Sequence, residues 1–202
     1  MKKLSKASFI SLFLGLSFLT LSPLYGSQAI SVKFGPDYPR WTDGSKSGQK
    51  VGFAAGMQYG YDFHDQVEGQ VEILYRGAAR RHQYDLDRDG EIIAKHQNKM
   101  DCMTYLANLI YKVSDVKLYG MTPHFGAGVG WQSNTDKYKF KSMIGQKTIE
   151  STRRDTRIAL QAIVGFSYPL ENEWEATCEY KYLTGKNHVK QHGVHLGLAK
   201  RF

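Results

Sequence analysis

The feature that most constrains this chain is a hydrophobic period of two residues that recurs almost from end to end. It is clearest at the end of the sequence, Val194-His195-Leu196-Gly197-Leu198-Ala199-Lys200-Arg201-Phe202. Counting back from Phe202, every second residue is Lys200, Leu198, Leu196 and Val194, apolar except for the lysine. The interleaved set, Arg201, Ala199, Gly197, His195 and Gly193, is small or polar. Alternation of this kind belongs to a β-strand with one greasy face and one wet face.

The same period appears in 51–63, where Val51, Phe53, Ala55, Met57, Tyr59, Tyr61 and Phe63 alternate with small or polar residues. After a short turn at 64–66, Val67, Gly69, Val71, Ile73 and Tyr75 continue it, so the pair is expected to form an antiparallel hairpin. Further strands are expected at 103–113, 124–131, 157–168 and 174–182, with a weaker first strand marked by Ile30, Val32 and Phe34. In 103–113 the pattern is less clean, because Leu106 and Ile110 fall on the wet side. The expected total is eight strands. Connections alternate between short (near 64–66, 113–117 and 169–173) and long (about 36–48, 78–98, 134–152 and 184–188).

This layout predicts an all-β fold, an eight-stranded antiparallel up-and-down transmembrane β-barrel with its long loops outside. A secreted soluble barrel of lipocalin type would alternate too, with its apolar face turned inward. Three features favour the membrane form. The wet face is mostly Gly, Ala and balanced charge, which suits a narrow lumen. Many strands end in Tyr, Trp or Phe, as interface girdles require. Phe202 has no evident use in a soluble barrel. The 13 Tyr, 10 Phe, 3 Trp and 20 Gly fit the same picture. Negative mean hydropathy does not oppose it, since only alternate residues meet lipid.

The other end reads as an export leader. Lys2, Lys3 and Lys6 precede an apolar run over 9–21, too short to cross a bilayer, and small residues follow. A signal peptide is expected over 1–29, with cleavage after Gly26 or Ala29, and a barrel domain over 30–202. Losing the three leader lysines lowers the formal charge from +8 to about +5, a modest balance that gives no reason to expect a nucleic-acid partner.

Four segments carry a family resemblance: Leu106-Ala107-Asn108-Leu109-Ile110-Tyr111; Thr122-Pro123-His124-Phe125-Gly126-Ala127-Gly128-Val129-Gly130-Trp131; Val164-Gly165-Phe166-Ser167-Tyr168 with Glu179-Tyr180-Lys181-Tyr182-Leu183; and the ending from Leu196 to Phe202. The chain resembles the outer-membrane β-barrel domain family of opacity-type proteins and related surface antigens, within the wider OmpA/OmpX-like class. His124, Lys181 and Lys200 stand where that family usually has Tyr, Arg and Tyr. The resemblance implies the barrel fold, residence in the outer membrane, and a terminal strand ending in Phe202 that the barrel-insertion machinery reads as an assembly signal. It says little about function, because such families share a scaffold and differ in their loops.

Several side-chain sets could carry chemistry. Glu68, Glu72, Arg76, Lys112, Arg157, Glu175, Glu179, Lys181 and Arg201, with His195, fall on the wet face and are expected to form a polar network in the lumen. Unpaired charges there would cost several kcal/mol. Asp85, Asp87 and Asp89 precede Gly90 like the first half of a calcium loop, but His96 stands where the bidentate Glu belongs. Lys137, Lys139, Lys141, Lys147, Arg153 and Arg154 form a basic patch in the third long loop, suited to lipopolysaccharide head groups or to polyanionic host glycans and matrix proteins. The seven histidines show no local serine partner, which argues against a catalytic triad. Cys102 and Cys178 have opposite parity and are expected to stay free.

The resulting expectation is a non-enzymatic, monomeric outer-membrane protein without a cofactor, in contact with outer-membrane lipid and acting as a structural, surface-antigen or adhesin-like scaffold. A narrow ion channel is the alternative, and a lipid-A-modifying barrel enzyme a third.

Overall fold

The computed structural model describes residues 26–41, 51–77, 81–86, 92–142, 148–185 and 189–202. Nearly all of the expected leader lies outside them, as do Asp87, Asp89 and Lys147. Nine strands follow in chain order: β1 (Gln28–Trp41), β2 (Gly52–His64), β3 (Val67–Gly77), β4 (Arg81–Leu86), β5 (Ile92–Lys112), β6 (Thr122–Ser142), β7 (Thr148–Pro169), β8 (Trp174–Gly185) and β9 (Val189–Arg201).

Each strand pairs antiparallel with its neighbour, β9 returns to β1, and β3 pairs with β5, so the sheet closes. β3 and β4 share one side of β5. β3 takes Asp101 through Tyr111, and β4 takes Ile92 through Asn98 above it. The barrel therefore has eight staves, as the periodicity predicts. Closure leaves no free edge along the part that crosses the membrane, where an unpaired backbone group would cost several kcal/mol.

The apolar half of each alternation faces out. Val164 is 54% exposed, Ile158 64% and Phe125 53%, with Phe34, Met57, Ile73, Leu109 and Leu196 in the same belt. The interleaved residues are buried, including Glu72, Lys181, Gln161 and His195. This burial order is the reverse of a soluble barrel's and removes the lipocalin-type alternative. Leu106 and Ile110, the apolar residues on the wet side of 103–113, point inward. Leu106 packs with Ala159 and Leu183 as a small apolar part of the filling. Lys200, which follows Val194, Leu196 and Leu198 on the greasy set of β9, sits at the periplasmic rim. Its Nζ lies 5.9 Å from the Trp174 ring centroid and donates to the Asn172 carbonyl in the β7–β8 turn.

The long connections are shorter than expected, because the strands run on into them. β6 continues to Ser142 and β7 starts at Thr148, so most of 134–152 is strand, and β4 with the outer part of β5 fills much of 78–98. Beyond the lipid the ladder continues, but nothing apolar must be screened, and the hydrophobic period fades before the strand does. The second periplasmic turn is longer than expected, reaching 121. It closes on a Leu118–Met121 bridge with Tyr119 and Gly120 both at positive φ, the conformation a two-residue hairpin loop needs. β1 begins before residue 30: Gln28 exchanges backbone hydrogen bonds with Phe202, and Ala29 lies opposite Arg201. Of the two cleavage positions, only the one after Gly26 keeps these pairs.

Candidate functional site

Two charged clusters fill the lumen. Near the periplasmic end, Arg201 on β9 donates to Asp62 (2.7 Å) on β2 and to Glu175 (2.8 Å) on β8. Lys112 on β5 bridges Asp62 (2.6 Å) and Glu68 (2.7 Å), and Gln70 donates to Glu68 as well. Higher up, Lys181 sits between Glu72 and Glu179, Lys33 contacts Glu179 at 2.6 Å, and His124 Nε2 is 3.4 Å from the same carboxylate. Above these, Arg76 donates to Asp37 at 2.7 Å and to Gln161 at 3.4 Å. Gly165 on β7 makes the middle layer possible. A Cβ there would come within 2.9 Å of both the Glu179 stem and the His124 ring.

Eight of the nine network residues expected from the wet face thus lie in these clusters: Glu68, Lys112, Glu175 and Arg201 below, Glu72, Arg76, Glu179 and Lys181 above. Arg157 is the exception. It lies on the inner side near the outer end and pairs with Asp155 on its own strand instead of joining the central set. Lys33, Asp37 and Asp62 belong to the clusters but were missed. The alternation of Val32 and Phe34 already places Lys33 inside, and carrying it on to residue 37 places Asp37 there too.

Between the clusters is a polar cavity of about 30 Å³, lined by Ser31, Gln58, Gln70 and Thr177 among others. The side-chain oxygens of these four have no hydrogen-bond partner among the described residues. The volume is room for about two waters, which these four oxygens are placed to bind.

A different surface forms outside. β5, β6 and β7 have 21, 21 and 22 residues, against 11–14 for β1, β2, β3, β8 and β9. Their outer parts form a wall on one side of the mouth. The expected basic loop is therefore a sheet, and its charges divide between two faces. Lys137, Lys139 and Lys141 continue the outward row of Val129 and Trp131, whereas Arg153 lies opposite Asp136 on the inner row. Lys99 is opposite Lys137 and Lys95 opposite Lys141, so β5 adds two cations to the outward row, and Arg154 adds another from β7. Among the described residues, Asp101 and Glu150 are the acids on this face. Lys139 contacts Glu150 at 2.6 Å and holds its carboxyl below the ordinary range. Lys137, Lys141 and Arg154 form no ion pair among the described residues.

The remaining candidates stand apart. Asp85 lies within β4, opposite Ala94, rather than in a loop; Asp87 and Asp89 are outside the described residues. Among the described residues no cluster of three or more His, Cys, Asp or Glu could hold a metal. Both cysteines are free, Cys102 buried in the lumen and Cys178 exposed on the lipid face. His192 stacks on Tyr38 (5.7 Å between centroids), facing outward near Tyr180.

Residues 11–202 match the family model described as the outer membrane protein beta-barrel domain. No curated protein sequence matches the chain. Solved structures share its fold at low identity. Neisserial surface protein A superposes with a TM-score of 0.57 at 14% identity, covering 88% of this chain and 100% of that one. A major outer membrane protein from Thermus thermophilus gives 0.58 at 14%, with 88% and 100% coverage. The attachment invasion locus protein Ail of Yersinia pestis, in complex with the heparin analogue sucrose octasulfate, gives 0.53 at 16%, with 89% and 100%.

Proposed function

Because this chain belongs to the outer-membrane protein β-barrel family, we propose that it works at the cell surface, as a closed scaffold whose outer wall engages polyanions. The observation that carries this reading is the outward row of Lys95, Lys99, Lys137, Lys139, Lys141 and Arg154, which outnumbers the acids Asp101 and Glu150 on the same face among the described residues. Cations in register on a rigid sheet raise the local concentration of phosphorylated or sulfated saccharides without needing a pocket for each one. Both the lipopolysaccharide around the barrel and host glycans reaching it from outside have that chemistry. The filled lumen argues against the channel alternative, since the ion pairs of Lys181, Glu179, Glu72 and Arg76 occupy the bore. The sucrose octasulfate bound by Ail is a polyanion of the same kind. It suggests a probe, while the charge pattern of this chain supplies the argument.

The test is titration of the refolded protein in zwitterionic vesicles with sucrose octasulfate and with heparin. Binding is expected to weaken steeply as NaCl rises from about 0.05 to about 0.5 M, over which the screening length falls several-fold. It should also weaken in the Lys137→Gln/Lys139→Gln/Lys141→Gln variant. Salt-insensitive binding, or full affinity in the triple variant, would refute the assignment. Planar-bilayer recordings are expected to show no ion conductance.

A further inference from the structure

At the outer ends of β2 and β3, beside the middle of β5, the outward surface dips into a groove of about 310 Å³, bordered by Val51, Phe53, Tyr75, Gly77, Lys99 and Asp101 among others. Its floor is aromatic: the rings of Phe53 and Tyr75 lie 5.8 Å apart and tilted by 56°. Gly77 keeps it open. A Cβ on Gly77 would stand 3.0 Å from the Phe53 ring and 3.3 Å from that of Tyr75. Its upper side is polar and fixed. The Tyr75 hydroxyl donates to Asp101 at 2.7 Å, and Lys99 contacts the same carboxylate at 3.1 Å. Lys137 lies directly opposite Lys99 on β6, so two ammonium groups stand beside one neutralised acid.

The opposite end runs without a break into the lipid-facing belt. Met103 and Tyr105 follow Asp101 on β5, Ile73 and Val71 precede Tyr75 on β3, and Met57 follows Phe53 on β2. The surface is therefore cationic at one end, aromatic in the middle and apolar at the other, and it faces the outer leaflet rather than the lumen. An occupant must carry an anion, a flat body and hydrocarbon in that order. The volume is at the lower end of what small-molecule sites occupy. From these features we infer that the groove seats the phosphorylated sugar headgroup of an outer-leaflet glycolipid. The phosphate meets Lys99 and Lys137, the sugar lies over Phe53 and Tyr75, and the acyl chains descend along Ile73, Val71 and Tyr105. The inference rests on the polyanion reading of the wall and narrows it to a place and a lipid class.

The experiment uses the refolded chain in detergent, with native mass spectrometry reading bound lipid. The lipid probes are diphosphoryl lipid A, dephosphorylated lipid A and phosphatidylglycerol, and sucrose octasulfate is the soluble arm. Diphosphoryl lipid A is expected to be retained in preference to the other two lipids. Its affinity should fall about tenfold or more in Lys99→Gln/Lys137→Gln, which removes two charge-assisted contacts. Gly77→Val fills the groove without touching a charge. It should weaken lipid A to a similar degree and leave sucrose octasulfate binding unchanged. The atoms that the new side chain meets are ring edges, so the barrel should still close, which heat-dependent gel migration verifies. A folded Gly77→Val that holds lipid A as tightly as the parent overturns the groove assignment, as does equal retention of phosphatidylglycerol. Failure of sucrose octasulfate to bind the parent refutes the broader polyanion reading, while the Gly77→Val comparison still decides the groove.

Discussion

Replacing Lys181 with methionine tests whether charge balance holds the lumen together. Methionine retains a long flexible side chain and deletes the ammonium. In the barrel Lys181 is fully buried against Glu72 and Glu179, and Lys33 lies on the far side of Glu179. Two cations and two anions make a neutral set. At 3.2 Å the Lys181–Glu179 attraction is about 5 kcal/mol at an effective dielectric near 20, before desolvation is subtracted. Without the ammonium, Glu179 keeps Lys33 at 2.6 Å, but among the described residues Glu72 keeps the Asn108 amide at 3.4 Å as its direct contact, with Lys33 farther off. Stranding a buried charge in this way costs about 3–5 kcal/mol. Lys181→Met is therefore expected to lower the unfolding free energy by that amount in urea titrations of vesicle-folded protein, followed by tryptophan fluorescence. The double variant Lys181→Met/Glu72→Gln removes the stranded carboxylate and should recover at least half of the loss. Lys33→Met should be milder, because Glu179 still has Lys181 and His124. A loss below about 1 kcal/mol for Lys181→Met, set against that 3–5 kcal/mol, or a double variant no better than the single, would mean that water reaches Glu72 freely.

Val164→Arg places a charge on the mid-strand lipid face and should cost about 2–4 kcal/mol of folding stability in vesicles; a neutral result would contradict the outward assignment. Gln161→Arg, on the opposite face, adds a cation beside Arg76 in a filled lumen and should also impair folding, although no lipid is involved. Ellman titration of the denatured, unreduced protein should count both Cys102 and Cys178 as thiols, whereas a mobility shift on reduction would expose a disulfide. Deleting Phe202, which exchanges backbone hydrogen bonds with Gln28, should leave chain in the periplasm; fractionation showing normal outer-membrane levels would argue against an assembly signal there. Mass spectrometry of the processed protein should find Ser27 at its N-terminus, and a start at Ile30 would contradict the β1–β9 pairing of Gln28 and Ala29.

How much of this was legible depended on what each stretch must hide. Where a strand faces lipid, every second side chain has to be apolar, and the staves around Met57, Ile73, Val129, Val164 and Leu196 could be read from that rule alone. The apolar row of β1 stops at Phe34 because Pro36 breaks it, which hides Asp37; Lys33 has the inward parity but lies in a stretch too short to show a wet face. In the wall, water wets both faces, so the alternation no longer encodes the strand. Lys137, Lys139 and Lys141 then look like loop charge, although they form one row of a sheet. The partners within the lumen were less accessible still. Parity places Glu72 and Lys181 inside, but it is the stagger of the closed sheet that brings residues so far apart in sequence into contact. The groove could not be foreseen, since it depends on Gly77 lying opposite Phe53 and Asp101 across two different strand pairs.

The unequal staves give the molecule a direction within the plane of the membrane. β7 exceeds β2, the stave across the barrel from it, by nine residues (22 against 13), and at about 3.3 Å per residue and a tilt near 40° that makes its stave roughly 23 Å taller. A barrel charged around its whole circumference could be cross-linked on every side by a long polyanion, and would condense into patches. Among the described residues, the cations of this wall lie on the flank made by β5, β6 and β7, so a ligand travelling along the surface would meet them from that side and not from the side of β1 and β2.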